Sequence, residues 1–567
     1  MKYFRIKMVS AMEKVFADKE PSGEGNLARL TALKGETVSF QIAYYWAGNG
    51  KERGKVEVIS PIRNQVDVRL VQLVPCEYPC HMSRDEDYLT TAPGLYPDLL
   101  TKIPELGFPM VSGQWRSLWI DVEIPEDIQA GEYSLEIRLT HGEDLIGKLE
   151  VFCEVIDQVL PKLPVPRTEW FHTDCLADYY QLEVFSDEYW EVVENFVKTA
   201  VKRNCNMLLT PVFTPPLDTA VGGERRTVQL VDVKAEGNQY TFGFANFEKW
   251  VSMCQRCGIE YYEISHLFSQ WGAVAAPKIV GEKDGELVKL FGWDTDASGE
   301  AYKNFLHQFL TALKEEMDRL GIREKVYFHI SDEPQMTQID SYRAAKQVVA
   351  EDLEGCIVFD ALSDYDFYKE GLVSQPVCAL NHMEPFLEDR PEKLWGYYCT
   401  GQYEDVSNRF IVQPGYRTRI LGVQMYKYQL DGFLHWGYNF YNSEKSLYPI
   451  DPYRCTDASG AFPSGDPFLV YPGADRKPEE SIRLMLMDEA MNDLRAMYLL
   501  EGLTDRNTVL KCIERTPDEE VTFKKYPRSI SYLTDCRERI NAAIRTATQK
   551  KIQWNGDTGK GSFVYNF

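Results

Sequence analysis

From Thr168 to Leu500 the hydrophobic pattern alternates between a period of two and a period of 3.6. Strand-like runs fall at 168–174, 206–212, 259–266, 325–331, 356–361, 376–381, 394–399 and 431–437. Helical runs lie between them, clearest at Asp187–Arg203, Phe244–Arg256, Ala301–Leu320, Ser341–Leu353, Thr418–Gln429 and Glu479–Leu500, while the fifth and sixth helices are poorly formed. Strands that alternate with helices build a parallel sheet. Eight such repeats predict a (β/α)8 TIM-type barrel over residues 161–505.

The segment before the barrel keeps to period two. Glu36–Tyr44, Lys55–Ile59, Val66–Leu70, Trp115–Val122, Gly131–Ile137 and Leu149–Val155 read as strands separated by Gly and Pro turns. This predicts an N-terminal antiparallel β-sandwich over residues 1–160. Tyr78–Pro109 breaks the rhythm as a long excursion able to reach another domain. Pro161, Pro164 and Pro166 mark the linker. Two further helical runs, Asn507–Arg515 and Ser529–Thr548, predict a helical extension over 506–567 that packs on the outside of the barrel.

Composition removes several classes of partner. With 62 basic and 86 acidic residues the formal charge is −24, so neither nucleic acid nor an anionic membrane is expected to bind. No apolar run approaches the length of a membrane span, and Met1–Met8 lacks the apolar core of a signal peptide. The 13 scattered cysteines suit a reducing cytoplasm. Cys254 and Cys257 form a lone CxxC, and Cys76, Cys80 and His81 cluster without a second ligand pair, so neither a metal site nor a cofactor is expected. No Gly-x-Ser-x-Gly elbow, phosphate loop or dinucleotide fingerprint appears. A homodimer stays open.

The strand ends carry the chemistry. Val326, Phe328 and Ile330 form an apolar face, and Tyr327, His329, Ser331 and Glu333 a polar one that faces the barrel interior. Asp332 and Glu333 follow, and Pro334 stops the strand. An isolated Asp-Glu pair often does no more than cap a helix or turn a loop. Here the other strand ends converge on it: His172 after strand one, His266 and Trp271 after strand three, Asp360 on strand five, Tyr398 on strand seven, and Trp436 and Asn439 on strand eight. Trp436 is expected as the flat platform under a pyranose, with Trp271 and Tyr398 as walls. Taken singly, each of these residues reads more readily as structural.

Paired carboxylates among aromatic rings point to glycoside hydrolysis. In the common retaining barrels a Glu on strand seven is the nucleophile, but here that strand ends Tyr397-Tyr398-Cys399-Thr400. Adjacent Asp and Glu instead supply what substrate assistance needs, an acid/base beside a carboxylate that orients a 2-acetamido group. Of the two, Glu333 is expected to hold the raised pKa.

The motifs His329-Ile330-Ser331-Asp332-Glu333-Pro334, Gly432-Phe433-Leu434-His435-Trp436-Gly437-Tyr438-Asn439, and Gly465–Gly473 ahead of Arg483 resemble glycoside hydrolase family 123, the β-N-acetylgalactosaminidases, and the wider group of barrel proteins around them. The resemblance implies an exo-acting retaining hydrolase that removes terminal β-linked N-acetylgalactosamine from a glycan, with Glu333 as acid/base and Asp332 holding the acetamido N–H. The alternatives are a barrel glycosidase for a different sugar and a non-catalytic glycan-binding protein.

Overall fold

The computed structural model describes residues 4–23 and 29–558, with side chains through residue 549. The first three and last nine residues of the expected N- and C-terminal units lie outside the described residues.

Residues 4–159 form two five-stranded sheets. The first orders Phe4–Ser10, Glu36–Trp46, Gln114–Ile124, Val66–Cys76 and Gly94–Lys102; the second orders Arg29–Lys34, Asp144–Val159, Gly131–His141, Lys51–Ile59 and Phe108–Val111. Period two decides what each strand touches. On Gln114–Ile124, Leu118, Ile120 and Val122 join the core between the sheets, whereas Trp119 joins the core shared with the barrel. The antiparallel expectation fails at one pair, because Arg29–Lys34 runs parallel to Asp144–Val159. Gly35, at φ +83°, turns the chain from the second sheet into the first, so the strand before it lies along the edge instead of forming a hairpin.

The expected excursion is shorter than its sequence suggests, since Gly94–Lys102 and Phe108–Val111 are strands. Its irregular part reaches the barrel. Tyr88 donates its hydroxyl to the Tyr403 carbonyl at 2.7 Å, Asp85 pairs with Arg417 at 2.9 Å, and a His81 ring nitrogen lies 3.0 Å from the Thr400 carbonyl. Asp98 and Arg483, both fully buried, pair at 2.8 Å across the same junction.

The barrel is closed. Its strands, in chain order, are Arg167–Glu169, Met207–Thr210, Tyr261–Ile264, Val326–Phe328, Ile357–Leu362, Gln375–Ala379, Trp395–Tyr397 and Gly432–His435, and the eighth pairs in parallel with the first. Every expected strand is present, most of them shorter than their apolar runs. Met207, Leu209, Phe359, Ala361, Val377, Trp395 and Leu434 fill the lumen; their neighbours Leu208, Cys378 and Phe433 pack outward. The fifth and sixth helices are short, Asp366–Lys369 and Met383–Glu388, and a four-stranded sheet between residues 232 and 291 was not anticipated. Outside the barrel, Arg537 on the helix Ile530–Thr558 pairs with Glu36 and with Asp493 of Ile482–Leu503. Among the described residues no helix is long and apolar enough to cross a membrane.

Candidate active site

Strand four holds its alternation, Tyr327 in the lumen and Phe328 against the helices, and then leaves the sheet. Glu333 adopts φ +41°, a left-handed conformation that costs a non-glycine residue about 1–3 kcal/mol. On a regular strand adjacent side chains point to opposite faces, and this turn brings both Asp332 and Glu333 to one cavity. A neighbouring loop and strand hold it: the Trp271 N–H donates to the Asp332 carbonyl at 3.2 Å, and the Glu333 N–H to the Ala361 carbonyl at 3.1 Å.

The cavity, about 150 Å³, has Trp170, Leu434, Trp436, Phe440 and Phe462 among its apolar walls and Asp332, Glu333, Gln270, Asp218, His172 and Tyr397 among its polar ones. Trp271 stands at its rim, 37% exposed. Trp271, Glu333, Cys399 and Thr400 also border a wider cleft of about 900 Å³ that includes Tyr365, Asn381, His382 and Lys524. Glu333 therefore sits where a small cavity meets a wider cleft.

The two carboxylates have different partners. Asp332 Oδ2 accepts from the Gln270 amide at 2.6 Å. Glu333 Oε1 accepts from the Tyr397 hydroxyl at 2.6 Å, with the Cys399 thiol at 3.9 Å. Burial raises both carboxyls; the charge of Glu333 adds to the rise at Asp332, which stands well above the usual range, while Tyr397 and Cys399 hold Glu333 back. The expectation that Glu333 alone is raised is thus corrected, because its oxygen is the better hydrogen-bonded of the two.

Shortly before the turn at Asp332 and Glu333, His329 lies buried between two carboxylates. His329 donates from Nε2 to Glu263 at 2.6 Å and from Nδ1 to Asp360 at 3.0 Å. Burial alone would lower its pKa, but these two hydrogen bonds raise it to about 9. Glu263 also accepts from Thr168 and the Trp170 indole, and Asp360 from the Ile330 N–H and the Tyr342 hydroxyl.

Of the sequence-selected residues, Asp332, Glu333, His172, Trp271 and Trp436 line the cavity. Burial and the Arg225 guanidinium lower the His172 pKa to about 3; its Nδ1 accepts from Arg225 and its Nε2 donates to the Trp436 carbonyl. Trp436 is held by its indole N–H, which donates to the buried Asp466 at 2.9 Å. Four residues are corrected. Tyr398 shares parity with Gly396, faces outward and donates its hydroxyl to Met487; Tyr397 is the inward ring. Asp360 likewise turns from the lumen to hold His329. His266 is fully buried and stacks on His329 at 4.1 Å. Asn439 is fully buried and pairs with the backbone of His172. Gln270 and Asp218, missed in the sequence, come from loops that carry no periodicity.

A closed parallel barrel with burial-raised paired carboxylates beside an aromatic-walled cavity defines a barrel glycosidase. The sequence profile of the glycoside hydrolase 123 catalytic domain matches residues 170–500, and the chain belongs to that family. The solved structure of a family 123 glycoside hydrolase from Clostridium perfringens, described in terms of glycolipid glycan hydrolysis, superposes with a TM-score of 0.72 at 16% identity, covering 98% of this chain and 100% of that one. Two other hydrolases overlay more loosely. A family 39 glycoside hydrolase from Bacteroides cellulosilyticus gives a TM-score of 0.34 at 12% identity, with 83% and 82% covered. A GH5 xyloglucanase from Bacteroides ovatus gives 0.30 at 9%, with 82% and 98% covered. No curated protein sequence matches.

Proposed function

We propose that this glycoside hydrolase removes terminal β-linked N-acetylgalactosamine with retention, using the substrate's own acetamido oxygen as nucleophile. The observation that carries the reading is the pair itself: adjacent Asp332 and Glu333 share one small cavity, and Glu333 also borders the wider cleft. The sugar occupies the small cavity over Trp436, and the leaving group lies in the cleft. Glu333 gives its proton to the glycosidic oxygen as the C1–O bond breaks. The acetamido carbonyl oxygen bonds to C1, while Asp332 accepts the amide N–H and orients it. Glu333 then takes a proton from the water that opens the oxazoline at C1, and two inversions leave retention.

Ligand binding decides where the proton sits. An amide N–H donated to Asp332 stabilises its charged form, which leaves Glu333 as the protonated member. The nearby Asp466 favours substrate assistance over a protein nucleophile, since it is fully buried and holds the Trp436 indole.

In the same reading the two N-terminal sheets are a sandwich domain over 1–160, residues 161–505 are the catalytic TIM-type barrel, and 506–567 is a helical brace. Thirteen unpaired cysteines support a reducing, cytoplasmic setting. A panel of 4-nitrophenyl glycosides tests the function: turnover of the N-acetyl-β-galactosaminide above the β-galactoside and the α-anomer is expected, and preference for a sugar without the 2-acetamido group overturns it.

A further inference from the structure

We propose that Asp218 is the residue that recognises the hydroxyl edge of the sugar, accepting a hydrogen bond from the 3- or 4-hydroxyl of the ring held in the small cavity. The inference rests on the functional reading above and deepens it.

Asp218 lies in the loop after strand two, and it lines the cavity with Asp332 and Glu333. Most of its polar atoms are committed. Its N–H donates to Gln270 Oε1 at 2.6 Å, its carbonyl accepts from the Ser446 hydroxyl at 2.7 Å, and Oδ2 accepts from the Lys445 N–H at 3.0 Å. Oδ1 alone has no hydrogen-bond partner among the described residues. A structural role, holding the turn at Lys445 and Ser446, accounts for Oδ2 and leaves Oδ1 unexplained. Burial pushes the carboxyl up to about 6, against the Lys445 N–H and Arg225, so at neutral pH an anionic oxygen is held at a partly dry wall. Asp218 is half-buried and open to the cavity, and ring hydroxyls are donors.

The backbone is also set for the purpose. Asp218 has φ +39° and Trp271 φ +56°, so with Glu333 three non-glycine residues lining one cavity are left-handed. Strain of this kind gathers at ligand sites.

Gln270 orders the wall. Its amide nitrogen donates to Asp332 Oδ2 and its oxygen accepts from the Asp218 N–H, both at 2.6 Å. Glu333 has a separate set of partners, Tyr397 and Cys399, and none of them bonds to Gln270 or Asp218. With C1 at Glu333 and the C2 amide at Asp332, the next ring positions, C3 and C4, fall toward Asp218. The configuration at C4 separates galacto from gluco sugars, so this carboxylate stands where that distinction is read.

The test compares kcat/KM of the wild type, Asp218→Asn and Asp218→Ala on 4-nitrophenyl N-acetyl-β-galactosaminide and its 3-deoxy and 4-deoxy analogues. Asp218→Asn keeps an oxygen for the Lys445 N–H, so it guards against loss of fold. The wild type is expected to lose about 10- to 100-fold when the contacted hydroxyl is removed. Both variants are expected to lose a similar factor on the parent and little more on that deoxy analogue. Variants as active as the wild type, or losses that multiply at both positions, overturn the assignment. A wild type that prefers another glycoside overturns the functional reading alone, and Asp218 is then judged by the same ratios on deoxy analogues of that glycoside. A wild type inert to every glycoside overturns both.

Discussion

The Tyr397 hydroxyl donates to Glu333 Oε1 at 2.6 Å, joining the end of strand seven to the turn after strand four. Strand seven is where common retaining barrels place a nucleophilic Glu, and here its inward residue is a phenol hydrogen-bonded to a carboxyl instead. A hydrogen bond to the charged form lowers a carboxyl pKa. Tyr397→Phe is therefore expected to raise the pKa of Glu333 by about one unit. If protonated Glu333 is the acid in the substrate complex, the alkaline limb of the pH profile of kcat, which reports that complex, should move upward by that amount. An unmoved alkaline limb would show that Glu333 is not the acid it reports.

His329 gives a stability prediction. Its folded pKa of about 9 stands above the ordinary 6.5, so its stabilising effect is complete below pH 6.5 and fades as pH rises through 9. The shift corresponds to on the order of 3 kcal/mol. His329→Gln should cost most near pH 6, and the gap in urea-derived stability between wild type and variant should narrow toward pH 9. A gap independent of pH would mean the imidazole is neutral in the fold.

Trp436→Ala removes the expected platform. A stacked ring contributes about 0.5–1.5 kcal/mol beyond its area, so KM should rise by about 3- to 10-fold with a smaller change in kcat. Circular dichroism should still report the folded barrel. Loss of the folded signal would make the ring a structural plug held by Asp466, Phe440 and Phe462.

The barrel was legible because each strand repeats the same demand, a lumen residue beside one that packs on helices. Asp332 and Glu333 were legible because Pro334 closes a strand that alternates cleanly. Tyr398 was misread although the signal was present: Trp395 shares its face with Tyr397, and Gly396 lies against Leu380, Leu430 and Met383, so the tyrosine two residues after that glycine had to face outward. Asp360 follows the same parity, beside lumen-facing Phe359 and Ala361. Gln270 and Asp218 had no such signal, because loop backbones fix their direction by contacts distant in sequence. His329 was placed on the right face, but its charge depends on Glu263 and Asp360, which come from two other strands.

The proposed division of labour between the acids predicts different leaving-group behaviour. Glu333→Gln should lower turnover about 10²–10⁴-fold on substrates with poor leaving groups, and far less on aryl glycosides whose phenolate departs unaided. Asp332→Asn should slow both kinds alike, because it weakens attack by the acetamido oxygen. Equal losses on both substrates in Glu333→Gln would remove that residue from the acid role.

Substrate assistance itself is tested most directly by the wild-type rate on 4-nitrophenyl N-acetyl-β-galactosaminide and on the analogues carrying one, two and three fluorines on the acetyl group. Fluorine withdraws electron density from the amide oxygen and changes the size of the group little. If that oxygen is the nucleophile held by Asp332, kcat/KM should fall steeply with each fluorine. A rate that stays level across the series would contradict the account and return the nucleophile to the protein.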